Sequence, residues 1–217
     1  MPGTSRHTIG GGLALLALTL CAVPANASTI TVAANLGPVG TYGPVVFDLQ
    51  SDLAEAASFT PRLSAWLWDV MLPLSDLSGP PSVTVGIASD NSGLPGAVLA
   101  TLTQIGTIPS SGSALVTFTC DECVALESGK LYWLVAGASN TSTVALWDSS
   151  DIALSGNFAS SDTGSVNGPW STPAGIHFFT PAFEVDGVPE PTSMLLIATG
   201  VLGIALPAAS ARRVRNP

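Results

Sequence analysis

The sequence predicts an all-β domain, an antiparallel β-sandwich of jelly-roll type, held between two apolar end segments. Three observations lead there. Short apolar runs rich in Val, Thr and aromatic residues alternate with turn clusters such as LSGPP, SDNSGLPG, SSGS and SSDTGSVNGP, the spacing of strands in a sandwich or barrel. Charged residues are only 10% of the chain, against 22 Gly and 17 Pro, so turn formers outweigh helix formers. Between residues 28 and 187 no convincing helical period appears; LQSDLAEAA at 49–57 offers one short helical turn.

Taken in order, the predicted strands are Thr29–Ala33, Pro44–Leu49, Ala57–Thr60, Leu63–Leu72, Ser82–Ser89, Ala97–Gly106, Ala114–Thr119, Leu131–Ala138, Thr143–Trp147 and Gly175–Val185. Such short strands suit two packed antiparallel sheets. Along Leu63–Leu72, simple alternation puts Trp66, Trp68, Val70 and Leu72 on one face and Leu63, Ala65, Leu67, Asp69 and Met71 on the other. Both faces are largely apolar, which predicts a central strand covered on both sides. Trp66, Trp68, Trp133 and Trp147 are accordingly expected in the core, whereas Trp170, in the loop VNGPWSTP, is the candidate for an exposed sugar contact.

The two ends read differently. Arg6, the apolar run Ile9 to Ala22 and the small-residue site Ala25-Asn26-Ala27 form a secretory signal peptide, so the mature chain is expected to begin at Ser28. At the other end, Val188-Pro189-Glu190-Pro191 precedes an uncharged run and a closing cluster of Arg212, Arg213 and Arg215. Residues 192–210 would span roughly 28 Å as a helix, close to the thickness of a bilayer core. Arginines favour the cytoplasmic side, so residues 28–187 are expected outside the inner membrane. The two prolines remove donors, and Val188 to Pro191 is expected to be extended and unable to join a sheet.

Pro-Glu-Pro, an apolar span and a basic cluster, in that order at the chain end, resemble the PEP-CTERM sorting signal of bacteria that produce extracellular polysaccharide. The resemblance covers about the last thirty residues. It implies a partner, the membrane-embedded cysteine protease called exosortase, which recognises the Pro-Glu-Pro region and removes the anchor. A second resemblance rests on SDNSGLPGAVLATL and LESGKLYWLV. These are similar to a D-x-S-G-x-P-G loop and an L-x-x-G-x-x-Y-W strand of choice-of-anchor domains, the R-type above all. That resemblance implies a β-sandwich surface domain without established chemistry. The expected division is thus a signal peptide at 1–27, an extracytoplasmic β domain at 28–187 and a sorting signal at 188–217.

Charge narrows the partners. Between residues 28 and 187 only Arg62 and Lys130 oppose fourteen carboxylates, a net charge of −12. Phosphate contacts need Lys and Arg, so nucleic acid is disfavoured. Cys120 and Cys123 are an even pair in an exported chain, and are expected to form a structural disulfide across a turn. Asp121 and Glu122 would raise a thiol pKa, against a redox role.

Catalytic and cofactor patterns are sparse. His177 is the one histidine of the mature segment, and alternation in IHFFTPAFEV places it with Phe179, Phe183 and Val185 on a strand face. The sequence shows no G-x-S-x-G elbow, phosphate loop, HExxH or EF-hand pattern. Asp148 with Asp151, and Asp121 with Glu122, are the close carboxylate pairs that a glycosidase would need to bring together in a cleft. Asp90-Asn91-Ser92-Gly93 offers oxygen ligands for Ca²⁺, though turn chemistry explains the same residues. No cofactor is expected. The leading expectation is a non-catalytic exported protein of the cell surface or extracellular matrix, associated with exopolysaccharide. A carbohydrate-binding module is the alternative, with a glycoside-active hydrolase behind it.

Overall fold

The computed structural model describes residues 28–120, 124–152, 156–173 and 179–189. Twelve strands are present among the described residues: β1 (Ile30–Ala34), β2 (Val46–Leu49), β3 (Ala54–Phe59), β4 (Ala65–Ser78), β5 (Val83–Asn91), β6 (Leu94–Ile105), β7 (Ala114–Cys120), β8 (Ala125–Leu126), β9 (Tyr132–Ala138), β10 (Val144–Asp148), β11 (Phe158–Ser161) and β12 (Glu184–Pro189). One 3₁₀ turn, Pro38–Gly40, is the sole helical element among the described residues. The all-β antiparallel reading therefore holds. The two separate sheets do not: the strands join in one curled sheet of order β1-β12-β4-β7-β6-β5-β9-β3-β11, with β10 joined to β2 and β4, and β8 to β4.

Strand β4 makes the curl possible. On one edge its first part pairs with β12, up to Met71 opposite Glu184, and its second part pairs with β10 from Leu74 onward. Pro73 falls in the gap between those partners, where a missing backbone donor interrupts no ladder on that edge. The other edge carries β8 and then β7. One long strand thus borders four others, and its inward residues Leu67, Val70, Leu72 and Leu74 are fully buried.

The main core gathers those residues with Val85, Ile87, Phe118, Leu134, Trp147 and Val185. Phe59 stacks on Tyr132 with centroids 5.8 Å apart and tilts against Phe183 at 5.9 Å. Burying each large apolar side chain contributes about 1.5–3 kcal/mol. Trp147 is buried only because its indole N–H donates to the Ala182 carbonyl at 2.7 Å. A second cluster lies on the far side of β3, β5 and β9, where Ala56, Ala88, Trp133, Val135 and Ala159 pack against Val166 and Trp170. The chain around 164–170 covers those strands closely: a Cβ at Gly137 would lie 2.7 Å from the Gly164 carbonyl. This cover explains why β3, read partly as a helical turn, is a strand buried on both faces.

Tight turns follow their sequences. Ser92 and Gly93 both take positive φ, 57° and 87°, between β5 and β6. That is the two-residue hairpin geometry that SDNSGLPG suggests. Among the strands not anticipated, β8 and β11 are short, and β12 lies further along the chain than Gly175–Val185.

Glu55 is the exception in this apolar setting. It lies on β3 opposite Ala136 of β9 and Ser160 of β11, and its Oε2 has no hydrogen-bond partner. Burial first, then the charges of Asp48 and Asp162, pushes its pKa up to about 8. The folded protein therefore holds a proton here at neutral pH that the unfolded chain releases. Its stabilising effect is full below the ordinary glutamate range and is lost as pH rises toward about 8. Urea unfolding should show stability falling between pH 5 and 8, by at most about 1.4 kcal/mol per pH unit from this group. Glu55→Gln should flatten that slope and raise stability at pH 8. An unchanged slope in the variant would contradict the assignment.

Candidate functional site

The chain leaves the described sheet through β12, and the residues around that exit form the candidate site. β12 lies between β1 and β4. Its register sets Glu184 opposite Met71, Asp186 opposite Asp69, Gly187 opposite Leu67, Val188 opposite Trp66 and Pro189 opposite Ala65. Val188 and Pro189 are thus part of the sheet, which corrects the expectation that they could not join one. Proline is tolerated at the last position of the strand, where one missing donor ends the ladder. The beginning of β12 is fastened by Asn35, whose Oδ1 accepts from the Phe183 amide at 2.6 Å and whose Nδ2 donates to the Pro181 carbonyl at 2.9 Å.

The same register contains a β-bulge. Two steps on β4, from Leu67 to Asp69, match one step on β12, from Gly187 to Asp186, so Trp68 is the extra residue. The bulge breaks alternation. Leu67 and Val70 point inward, while Trp66, Trp68, Asp69 and Met71 all face outward. Trp66 and Trp68 are 46% and 53% exposed, which corrects the expectation that both lie in the core. Trp133 and Trp147 are fully buried, as anticipated.

Around the two exposed rings the sheet face is mixed. Trp66 is flanked by Val188 on β12 and Ala125 on β8. Beyond Trp68, a polar row crosses five strands in register: Thr31, Asp186, Asp69, Thr119 and Thr103. Asp69 and Asp186 stand directly opposed, and each has one shielded Oδ1 without a hydrogen-bond partner. Desolvation, then the charges of Asp186 and Glu184, raises the Asp69 pKa above the ordinary aspartate value. Thr31 donates to Glu184 Oε1 at 3.2 Å. The face therefore sets two flat apolar rings next to two facing carboxylates.

The other sequence candidates are dispersed. Asp148 is buried on β10, and desolvation raises its pKa, partly offset by a hydrogen bond with Ser113. Asp151 is exposed and accepts from Thr41 at 2.5 Å, so the two aspartates serve separate local networks. Asp90 accepts from the Gly93 amide at 3.1 Å and from Trp133 Nε1 at 2.9 Å. Its carboxylate closes the hairpin and satisfies a buried indole. No metal-holding cluster of His, Cys, Asp and Glu occurs among the described residues. Trp170 is half-buried against the second cluster, and its Nε1 is shielded without a partner. Two open grooves near Ser58, Phe59 and Gly156 carry no carboxylate, histidine or cysteine in their walls.

Cys120 ends β7, while Cys123, Asp121 and Glu122 lie outside the described residues, and with them the expected disulfide. So do His177, Glu190, Pro191, Arg212, Arg213 and Arg215, the signal peptide at 1–27 and the span at 192–210.

Residues 187–213 match the family model of the PEP-CTERM protein-sorting motif. No curated protein matches the chain. The match meets the resemblance read from Pro-Glu-Pro, the apolar run and the arginines, and the β domain is consistent with it. The motif implies export, membrane-anchored sorting and processing by exosortase, a membrane protease. Its first three residues, Gly187, Val188 and Pro189, are also the last three of β12.

If Asp90 serves the hairpin and the Trp133 indole, Asp90→Ala should lower stability by about 1–3 kcal/mol, the cost of leaving a buried N–H unpaired. Urea denaturation measures this, and Asp90→Asn, whose Oδ1 still accepts from both N–H groups, should recover most of the loss. A rise in the wild-type midpoint on adding Ca²⁺, absent in Asp90→Asn, would instead assign the loop to a metal.

Proposed function

We propose that this chain is a non-catalytic exported protein, held at the inner membrane by residues 192–210 and then cut by exosortase beside Val188-Pro189-Glu190-Pro191. The remaining β domain stays at the cell surface or in the extracellular matrix, in association with exopolysaccharide. Residues 1–27 direct export and are removed, and Arg212, Arg213 and Arg215 hold the tail's end on the cytoplasmic side. The observation that carries this reading is the sorting-motif match at 187–213, continuous with the last strand of the domain.

The charge of the domain supports the location. With Arg62 and Lys130 as its only cations against fourteen carboxylates, it suits a soluble domain among sugars and not a nucleic-acid surface. A carbohydrate-binding role is the second reading, favoured by the exposure of Trp66 and Trp68 on one open sheet face. A hydrolase reading has less support, because Asp148 and Asp151 enter separate networks.

Replacing Pro189-Glu190-Pro191 by three alanines tests the sorting reading. The variant should accumulate as a tail-bearing species in the inner membrane, while the wild type appears in the surface fraction at reduced mass. Alanine can occupy the end of β12, so circular dichroism should be unchanged. A variant that reaches the surface at the wild-type mass would overturn the proposal.

A further inference from the structure

We infer that the outward face of β4 around Trp66, Trp68, Asp69 and Asp186 binds a glycan whose rings carry free amino groups, a polymer of hexosamine that is at least partly unacetylated. The inference rests on the surface location proposed above for its biological setting, but the binding chemistry is a property of the domain alone.

Trp66 and Trp68 come first. Exposing two indole rings on one patch leaves apolar area in water, and patches of that kind mark binding surfaces. The bulge at Trp68 turns both rings, and Asp69 after them, to the same side. At about 3.3 Å per residue the rings sit roughly 7 Å apart along the strand. They form a short track, and the neighbours Ala125 and Val188 are too small to overshadow Trp66. A flat ring of that kind accepts the C–H face of a pyranose.

The carboxylates decide which pyranose. Asp69 and Asp186 face each other across β4 and β12, with Glu184 one outward position further along β12. Each of the two aspartates has its Oδ1 shielded and without a donor, which leaves Oδ2 as the oxygen that can meet a ligand. Two carboxylates placed so close repel each other, and a cation set between them relieves that repulsion. Among the described residues, Lys130 is paired with Glu127 at 2.9 Å, and neither Lys130 nor Arg62 forms an ion pair with Asp69 or Asp186. An anionic polymer would be repelled here, and a neutral sugar would donate hydroxyls but leave the charge uncompensated. An ammonium on a sugar ring supplies both the donor and the charge, and the indoles add cation–π attraction. Thr119, which extends the row on the β7 side, offers a hydroxyl to a neighbouring sugar position.

The test uses the full chain in detergent and tryptophan fluorescence at pH 6. The probes are a β-1,4-linked glucosamine hexamer, its fully N-acetylated counterpart, a glucose hexamer and oligolysine. The glucosamine hexamer should bind at least about tenfold more tightly than the other two sugars, a difference of about 1.4 kcal/mol. Trp66→Ala and Trp68→Ala should each weaken it several-fold. Asp69→Asn with Asp186→Asn should abolish the preference for the amine while leaving residual sugar binding. Both tryptophans are exposed, so these variants should unfold at the wild-type midpoint. The inference is overturned by no binding at millimolar sugar, by equal binding of the acetylated or neutral hexamer, or by oligolysine binding that survives loss of both tryptophans. Sorting is not involved in the measurement: a chain that binds the hexamer but is never processed would sink the proposed function alone.

Discussion

Everything distinctive about this molecule depends on the pairing of β12 with β4. β12 is the last strand among the described residues, yet it lies inside the sheet, between β1 and β4. Its inward residue Val185 enters the main core, and the segment leading into it supplies the carbonyl that satisfies the Trp147 indole. Asn35, just past the end of β1, fastens the same segment. Removing β12 would expose the β4 edge and empty part of the core, so the fold is not complete until the chain has reached the sorting segment. The domain is joined to its address with no spacer between strand and motif.

That junction bears on processing. A protease acts on an extended segment, and Val188 and Pro189 are extended but already bonded to β4. Peeling a terminal pair away from a sheet costs far less than opening an internal one. The end of β12 is therefore where a membrane enzyme would meet the domain, and the outward face beside it carries Trp66. The same register that positions the tail also exposes the rings.

The tryptophans carried on strands divide into a buried pair and an exposed pair. Trp133 and Trp147 are buried, and each donates its N–H, to Asp90 and to the Ala182 carbonyl. Both acceptors come from distant parts of the chain, so sequence spacing could not reveal them. Trp66 and Trp68 looked equally buried because strict alternation grouped them with Val70 and Leu72. A single bulge residue reversed that grouping, as one extra residue must when side chains alternate with period two. The strand positions themselves were largely legible, since Gly, Pro and Ser clusters mark their ends. The helical reading of Leu49–Ala57 failed because AEAA has good local helix propensity, while cover on both faces by β9, β11 and the second cluster rewards a strand. β12 was misplaced because Pro189 argues against a strand, and only the edge left open by β4 makes its last pair worthwhile. The sorting motif was legible in full, because it depends on order and composition and not on packing.

The intact mass of the native protein, measured on separated cytosolic, membrane and surface fractions, tests the central claim most directly. The account predicts a surface species that begins at Ser28, keeps every residue through Val188 and lacks the arginine-terminated tail. A full-length chain in the cytosol, or a mature C-terminus within Glu184 to Gly187, would contradict it.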